Sequence, residues 1–275
     1  MARRTKLALG ALLLLGVAFA SRPLILDHAS ESFLNTGPNG RETPATVGLA
    51  FDRLKIPSGN RILDAYLVRA ATTCQPRVAV LIFHGVMETI SEWVLAQKFL
   101  YDHCVSSIVF DYSGHGDSSR PGTIGHLNGD AVRAYSTFVS QFPGERLCVL
   151  GHSMGNGVML ESMSHFTPPP ACVVVGNAFS SLRDAGRKRG TSLFLLYAIP
   201  DAWDNVENVK YLRSPLLVIY SDADKVNPAA MGHQIFEAAP EPKQLAVLHG
   251  FSHNALYQAP TDEWWTPVLR FLQPR

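Results

Sequence analysis

The sequence has almost no net charge and no bias toward a few residue types. Its 275 residues contain 24 lysines and arginines against 23 aspartates and glutamates, a formal charge of +1. Binding to a phosphate backbone needs a clustered excess of basic side chains, so we expect no nucleic-acid partner. Glycine and proline, at 21 and 18 residues, are near average usage, which excludes collagen-like and low-complexity chains. The length and the 47% hydrophobic content predict a compact chain with a sizeable core.

The sequence also lacks the patterns that mark nucleotide cofactors and metals. Residues 114–116 read Gly-His-Gly and lack the third glycine of the dinucleotide-binding pattern G-x-G-x-x-G. His249 and His253 have the spacing of a helical zinc pair, but Gly250 disfavours a helix there and stands where that motif carries a glutamate. We therefore expect no cofactor and no metal.

No apolar run near the amino terminus is long enough to cross a bilayer. The run over residues 7–20 would rise about 21 Å as a helix, short of a hydrocarbon core of about 30 Å. Basic side chains within residues 3–6 precede it, and residues 18–20 have the small-x-small sequence of a cleavage site. This pattern predicts a signal peptide over residues 1–20 and an exported protein, periplasmic or secreted. An uncleaved membrane anchor over residues 7–20 is the alternative.

Cysteine is scarce, with four residues in the chain. An exported protein can oxidise them. Cys74 and Cys104 each lie a few residues ahead of an apolar strand candidate, and parallel neighbouring strands would bring both to the same edge of a sheet. We therefore predict a disulfide between Cys74 and Cys104. Cys148 and Cys172 lie inside apolar runs and are predicted to be small buried side chains.

Apolar runs of strand length alternate with helix-like stretches along the chain. The runs are rich in Val, Ile and Leu, which is typical of strands covered on both faces: residues 61–69, 78–83, 107–112, 147–150, 172–175, 216–220 and 245–248. Helical periodicity predicts helices between them, including residues 91–101, 131–142 and 157–165. Residues 50–56 and 61–69 flank a Pro-Ser-Gly-Asn turn and predict an antiparallel hairpin. This order is typical of an α/β fold, a mostly parallel eight-stranded sheet flanked by helices.

Two segments interrupt this order. Residues 21–46 are rich in turn-forming residues and are predicted to form an irregular amino-terminal arm, followed by one domain over residues 47–275. Residues 180–214 separate the sixth and seventh strands by more than a usual connection. Their apolar centre, which includes Phe194 and Tyr197, predicts a small lid; an ordinary crossover helix with extra loop explains the length equally well.

One short motif points to nucleophilic chemistry. Residues 151–155 read Gly-His-Ser-Met-Gly, a G-x-S-x-G pentapeptide between the strand candidate at 147–150 and the helix candidate at 157–165. In that context the motif forms a tight strand-to-helix turn with a strained serine at its tip. The Ser153 hydroxyl would then project at the carboxyl end of the sheet, beside the positive end of a helix dipole.

With this motif the chain resembles the α/β-hydrolase family, and further segments match in order. Phe83-His84-Gly85 resembles the family's oxyanion-loop segment, and residues 111–118 match its D-x-x-G-x-G-x-S turn. Residues 221–228 and 249–254 resemble its acid and histidine segments, which gives the order Ser, Asp, His expected of that fold. The chain is also similar to members grouped with serine aminopeptidases and monoacylglycerol lipases.

The resemblance implies a role for each candidate residue. Ser153 would be the nucleophile, His253 the base that takes its proton, and Asp224 the carboxylate that orients the imidazole. The backbone amides of Val86 and Met154 would stabilise the oxyanion of the tetrahedral intermediate.

Neighbouring residues compete for two of these roles. Asp222 is an alternative acid, but it lies at the strand end, whereas Asp224 stands where the family's D-x-(V/I)-x-P turn places its acid. His249 is an alternative base, but it ends a strand, whereas His253 lies in a loop able to reach back over the serine. We therefore favour Asp224 and His253.

The other histidines and acidic residues near these motifs receive structural roles. His84, His115 and His152 are predicted to stabilise turns. Glu88 and Glu92 follow the oxyanion-loop segment and are predicted to be solvated carboxylates at a helix start, although they could also shape the entrance to the site.

The apolar residues near the site suggest its substrate class. Val86, Met87, Phe179 and Phe251 would line an apolar pocket, with Met87, Phe179 and Phe251 contacting the substrate. By analogy such a pocket suits a small-molecule carboxylic ester with a small or medium acyl chain. A peptidase, a lysophospholipase, an acyltransferase and a non-catalytic binding module remain as alternatives.

Overall fold

A single mixed sheet lies at the centre of the chain in the computed structural model, which describes residues 34–192, 196 and 202–273. Within these residues the sheet has eight strands in the order β1-β2-β4-β3-β5-β6-β7-β8. The strands are β1 (Asp52–Ser58), β2 (Arg61–Val68), β3 (Val78–Phe83), β4 (Val105–Phe110), β5 (Arg146–His152), β6 (Cys172–Gly176), β7 (Leu216–Ser221) and β8 (Lys243–Leu248).

In the order of the sheet, neighbouring strands are parallel from β4 through β3, β5, β6 and β7 to β8. The first two strands pair in antiparallel fashion. β1 pairs with β2, and β2 pairs with β4, in antiparallel registers. The predicted hairpin is confirmed, but its turn is shorter than expected: Ser58 pairs with Arg61, which leaves only Gly59 and Asn60 between the strands. Gly59 has φ +64°, a conformation that glycine adopts without the cost a side chain would add.

Helices cover both faces of this sheet. They are α1 (Val94–Asp102), α2 (Ile124–Gln141), α3 (Met154–Ser162), α4 (Leu182–Lys188), α5 (Asn205–Asn208), α6 (Ala229–Ala238), α7 (Ala255–Gln258) and α8 (Asp262–Leu272). Short 3-10 turns lie at Pro44–Val47, Ile90–Trp93, Met163–His165 and Val209–Tyr211. The predicted fold class is thereby confirmed. α2 begins seven residues before the predicted helix at 131–142, because the Thr123 side chain caps it by accepting from the His126 amide at 3.1 Å.

The two faces of the sheet pack into two apolar cores. In β3 every residue is buried, and alternate side chains enter opposite cores. Ala79, Leu81 and Phe83 contact the cluster that contains α2 and α3, whereas Val80 and Ile82 contact the cluster that contains α1 and α8. A strand covered on both faces needs apolar residues at every position, which explains the unbroken apolar runs in the sequence.

The four cysteines form two disulfides. The predicted bridge between Cys74 and Cys104 is confirmed, with Cα atoms 5.4 Å apart. Cys148 and Cys172 are buried, as predicted, but the prediction missed that they form a second disulfide. β5 and β6 pair in a register that places these two residues opposite each other, with Cα atoms 4.7 Å apart. Strand register depends on tertiary packing and does not follow from the spacing of the cysteines.

Several predictions concern segments outside the described residues. The predicted signal peptide at 1–20, with its alternative anchor at 7–20, lies wholly outside them. So do the lid candidates Phe194 and Tyr197. The described part of the predicted arm is tied to the domain, since Leu34 is buried and the Thr36 amide donates to the Gly114 carbonyl at 2.9 Å. Among the described helices, none combines the length and apolar character of a bilayer span.

The disulfide pairing predicts a defined thiol count. Alkylation of the denatured, unreduced protein should add no adduct, whereas reduction followed by alkylation should add four, because each cysteine is bridged. The double variant Cys148→Ala, Cys172→Ala is the control and should take up two adducts after reduction. Intact mass spectrometry measures both counts. Two free thiols in the unreduced wild-type protein would contradict the second disulfide.

Candidate active site

The nucleophile candidate lies on a tight turn between β5 and α3. Ser153 has φ +51°, which is unfavourable for a residue with a side chain, and its amide donates to the Gly176 carbonyl at 3.2 Å. A Cβ at Gly151 would lie 2.5 Å from Asn156 Oδ1, and a Cβ at Gly155 would overlap the carbonyl oxygen of Phe83. The two motif glycines therefore let β5, α3 and the end of β3 approach closely enough to hold Ser153 in this conformation.

The serine hydroxyl lies at the amino terminus of α3. Ser153 is only 6% exposed, and among the described residues its Oγ has no hydrogen-bond partner. Met154, the next residue, begins the helix, so its amide is one of the first N–H groups that have no acceptor within the helix. An anion that forms on an atom bound to Ser153 would face the positive end of the helix dipole.

The acid and base candidates form a buried pair. His253 Nδ1 lies 2.6 Å from Asp224 Oδ2, and the side chain of Asp224 is fully buried. The other carboxylate oxygen, Oδ1, accepts from the amides of Val226 at 2.8 Å and Asn227 at 3.0 Å. With Nδ1 engaged by this carboxylate, Nε2 is the ring nitrogen of His253 that remains to accept a proton.

The loop that carries His253 is fixed by two buried donors. The backbone carbonyl of His253 accepts from His152 Nε2 at 3.0 Å and from Asn177 Nδ2 at 2.8 Å. Asn177 follows β6, has φ +45°, and its own carbonyl accepts from Asn227 Nδ2 at 2.8 Å. Sequence reasoning missed Asn177; the available signal was a polar residue directly after a buried strand that ends beside the serine turn.

The rival candidates form a second, exposed pair. His249 Nδ1 lies 2.7 Å from Asp222 Oδ2, and the Gly250 amide donates to Asp222 Oδ1 at 3.0 Å. The hydrogen bond from His249 lowers the pKa of the Asp222 carboxyl. Exposure separates the two pairs, since the His249 side chain is 79% exposed and that of His253 is 11% exposed. The exposed pair, Asp222 and His249, links the ends of β7 and β8. The less exposed pair, Asp224 and His253, lies in the candidate site.

The chain is similar to known proteins in sequence and in fold. Residues 74–186 match the family model described as serine aminopeptidase, S33. The Pyrococcus furiosus esterase Pf2001 has a similar structure, with a TM-score of 0.71 and 18% identity over 86% of this chain and 98% of that chain. Est1E from Butyrivibrio proteoclasticus, solved with ferulic acid, gives a TM-score of 0.62 at 15% identity over 80% of this chain and 96% of its own.

Curated sequences give partial matches. An uncharacterized protein of Mycobacterium tuberculosis is 31% identical over 153 residues, which cover 54% of this chain and 53% of that protein. The lysophosphatidylserine lipase ABHD12 of Danio rerio is 23% identical over 179 residues, which cover 56% of this chain and 47% of that protein. This chain therefore spans about half the length of the curated relatives it matches.

The chain has the α/β-hydrolase fold of these structural neighbours, and the matched family model covers its residues 74–186. The loop after β3 carries the oxyanion-hole candidates. Val86 is half-buried, and the next residue, Met87, has φ +64° and is 69% exposed. The predicted substrate residues thus differ in position: Met87 is open to solvent, Phe251 is half-buried, and Phe179 lies in the core, where its ring packs against Gly157.

One carboxylate in the loop after β3 contradicts the sequence prediction. Glu88 was expected to be solvated but is buried. It accepts from the Gly85 amide at 2.8 Å and from Trp93 Nε1 at 2.9 Å, and its other oxygen lies 3.0 Å from His152 Nδ1. Glu92 is exposed as expected and completes a capping box with Thr89 at the start of the 3-10 turn that precedes α1.

His84 and His115 support the turns they belong to, in line with the prediction. His84 Nδ1 lies 2.9 Å from the Gly85 carbonyl, and Nε2 lies 3.4 Å from Asp111 Oδ1. Burial alone would lower the pKa of His84, but the contact with Asp111 raises it. His115 Nδ1 faces the Ser113 carbonyl at 3.4 Å, and burial lowers the pKa of His115 to about 3, so this ring is neutral.

Among the described residues, no cation site is evident. Over the described residues, no three His, Cys, Asp or Glu side chains are arranged to hold a metal ion. His249 and His253, which share a zinc-like spacing, bind two different carboxylates.

The close approach at Gly155 predicts a specific loss of stability. Gly155→Ala should lower the free energy of unfolding by about 3 kcal/mol, because the new methyl group would collide with the backbone at the end of β3. Gly129→Ala in α2 is the matched control, since nothing lies within 4 Å of the added Cβ, and it should raise stability by about 0.5–1 kcal/mol. Urea unfolding measures both changes. Equal stability of the two variants would contradict the packing at the serine turn.

Proposed function

We propose that this protein is a serine hydrolase that cleaves carboxylic esters through an acyl-enzyme on Ser153. The observation that carries the proposal is the buried Asp224–His253 pair, whose 2.6 Å contact leaves His253 Nε2 as an acceptor at the same sheet edge as the strained serine. No hydrogen bond joins Ser153 Oγ to His253 Nε2 among the described residues, so the proposed proton transfer requires these two groups to come together. Such contacts commonly tighten when substrate binds.

The reaction follows from the protonation states of these groups. His253 Nε2 accepts the hydroxyl proton as Ser153 Oγ attacks the ester carbonyl, and Asp224 stabilises the resulting imidazolium. The amides of Val86 and Met154 donate to the oxyanion. The imidazolium then protonates the leaving alcohol, and the same steps with water release the acid and restore the serine. Each oxyanion donor contributes about 3 kcal/mol of transition-state stabilisation in enzymes of this type.

The proposed substrate is a small-molecule ester with an apolar acyl group. The exposed Met87 beside the oxyanion loop and the half-buried Phe251 beside His253 give the acyl chain apolar contacts. The similarity in structure to the Pyrococcus furiosus esterase supports an ester as the substrate class. The family description names aminopeptidases, and a relative is named a lysophosphatidylserine lipase, so amides and lysophospholipids belong in the test.

Export to an oxidising compartment is part of the proposal. Two disulfides in a chain whose cysteines are all paired are typical of periplasmic and secreted proteins. The signal-like segment at 1–20 supports the same location.

The test is a substrate panel with wild type and Ser153→Ala. Wild type should hydrolyse p-nitrophenyl acetate, and Ser153→Ala should lower kcat by at least about 10³-fold, because the proposed nucleophile is removed. The rates of hydrolysis then rank the acyl bonds, and they are measured on p-nitrophenyl esters, a thioester, aminoacyl anilides and lysophospholipids. Product analysis with added alcohol separates acyl transfer from hydrolysis. Equal rates for wild type and Ser153→Ala would overturn the proposal.

The two histidine pairs give a discriminating prediction. His253→Ala should lower kcat by at least about 10³-fold, because the serine loses its base. His249→Ala should change kcat/KM by less than about 5-fold, because its ion pair with Asp222 is exposed. Steady-state kinetics with p-nitrophenyl acetate checks both values, and circular dichroism checks that both variants are folded. A larger loss in His249→Ala than in His253→Ala would reverse the assignment.

A further inference from the structure

The residue directly before the nucleophile has two buried polar contacts that the proposed reaction does not use. His152 is fully buried at the end of β5. Its Nδ1 lies 3.0 Å from Glu88 Oε1, and its Nε2 lies 3.0 Å from the backbone carbonyl oxygen of His253. Both ring nitrogens therefore face oxygen atoms that accept hydrogen bonds.

The chemistry of these partners fixes the number of protons on the ring. A backbone carbonyl only accepts, so His152 Nε2 must carry a proton. Burial by itself would raise the pKa of Glu88, but the imidazoles of His152 and His84 and the Gly85 amide outweigh burial and hold that pKa at about 2. The carboxylate is therefore ionised and also only accepts, so Nδ1 carries a proton as well. A ring with both nitrogens protonated is an imidazolium.

The groups around the pair leave this charge balanced. Glu88 also accepts from the amide of Gly85 and from the indole of Trp93, which are neutral donors. The Tyr257 ring lies 5.5 Å from the His152 ring, and burial raises the pKa of Tyr257, so its hydroxyl stays neutral. The His253 ring lies 4.8 Å away, and Glu92 acts on Tyr257 from the start of the next turn. The other titratable groups that interact electrostatically with Glu88 are His84, Tyr112, His115 and Tyr257.

We propose that Glu88 and His152 form a buried carboxylate–imidazolium pair that positions both the oxyanion loop and the catalytic histidine. The pair joins three segments that are far apart in the sequence: the loop after β3, the serine turn after β5, and the loop after β8. Glu88 accepts a hydrogen bond from the amide of Gly85, the residue before Val86. The Nε2 atom of His152 donates to the backbone carbonyl of His253. Neither residue touches the reacting atoms, so both are positioning residues. The inference rests on the proposed function for its kinetic consequences.

Two substitutions at Glu88 separate hydrogen bonding from charge. In Glu88→Gln the amide oxygen can still accept from Gly85 and Trp93, and the amide nitrogen can donate to Nδ1 of a neutral His152, whose Nε2–H still reaches His253. We expect kcat within about 3-fold of wild type, because every hydrogen bond is retained. In Glu88→Ala the loop is released, and we expect kcat to fall by about 10–100-fold with KM changed by less than about 3-fold, the penalty of a misplaced reacting group.

Rates are measured with p-nitrophenyl acetate and divided by the number of sites titrated with a fluorophosphonate probe. This division removes any loss caused only by unfolded protein. Glu161→Ala is the matched control: Glu161 accepts from the Trp203 amide at 3.0 Å and from Asn208 Nδ2 at 2.9 Å on the far side of α3, so its loss should lower stability and leave kcat per site unchanged. If Glu88→Ala had the wild-type kcat per site, the positioning role would be overturned. The same would follow if Glu88→Gln lost as much kcat per site as Glu88→Ala.

The charge state is read directly by NMR of protein with ¹⁵N-labelled histidine. Because both ring nitrogens of His152 face oxygen acceptors, both should be protonated in wild type, and Nδ1 should lose its proton in Glu88→Gln. The spectrum of His152→Phe assigns the signals. One unprotonated ring nitrogen in wild type would overturn the ion pair. This measurement does not depend on turnover. An inactive wild-type protein would contradict the proposed function but would not contradict the Glu88–His152 ion pair.

Discussion

The site depends on one backbone constraint, the positive φ of Ser153 on the turn between β5 and α3. A residue with a side chain in this region costs about 1–3 kcal/mol, and it persists only where the surrounding structure requires it. Here the requirement is the contact of α3 with the end of β3, which leaves no room for a side chain at Gly155. The large apolar cores on both faces of the sheet supply the stability that offsets this strain.

The same sheet edge collects every other group of the proposed reaction. β3, β5, β6, β7 and β8 run in parallel, so the loops at their carboxyl ends meet, and these loops carry the oxyanion candidates, Ser153, Asn177, Asp224 and His253. The polar groups of these loops bind one another: the carbonyl of His253 alone receives two side-chain donors. Buried networks of this kind hold a catalytic group rigidly when every member is satisfied.

Much of this arrangement could be predicted from the sequence, because its signals are local. Unbroken apolar runs predicted strands covered on both faces, and the G-x-S-x-G turn predicted the place of Ser153. The order of the acid and histidine segments predicted Asp224 and His253, which the structure brings into contact. The exposed Asp222–His249 pair shows why spacing alone was ambiguous: both carboxylates reach a histidine, and only burial distinguishes them.

The site residues and the disulfide that the sequence did not reveal depend on contacts between distant segments. Glu88 resembles a helix-start carboxylate locally, yet it turns inward to His152, 64 positions along the chain. Cys148 and Cys172 look like ordinary buried residues until the register of β5 and β6 places them opposite each other. Asn177 carries no motif, and its role depends on the position of two loops that follow other strands. In each case a polar or reactive side chain lies in an apolar environment, where it needs a partner from elsewhere in the chain. The local sequence pattern does not identify that partner.

The most direct test of the account is to trap the acyl-enzyme. The protein is mixed with p-nitrophenyl acetate, quenched in acid during turnover, digested and analysed by mass spectrometry. The account predicts one acetyl group on the peptide that contains Ser153, and none on that peptide in Ser153→Ala. An ester-hydrolysing wild-type protein with no acetyl group at Ser153, or with the group on another residue, would contradict it.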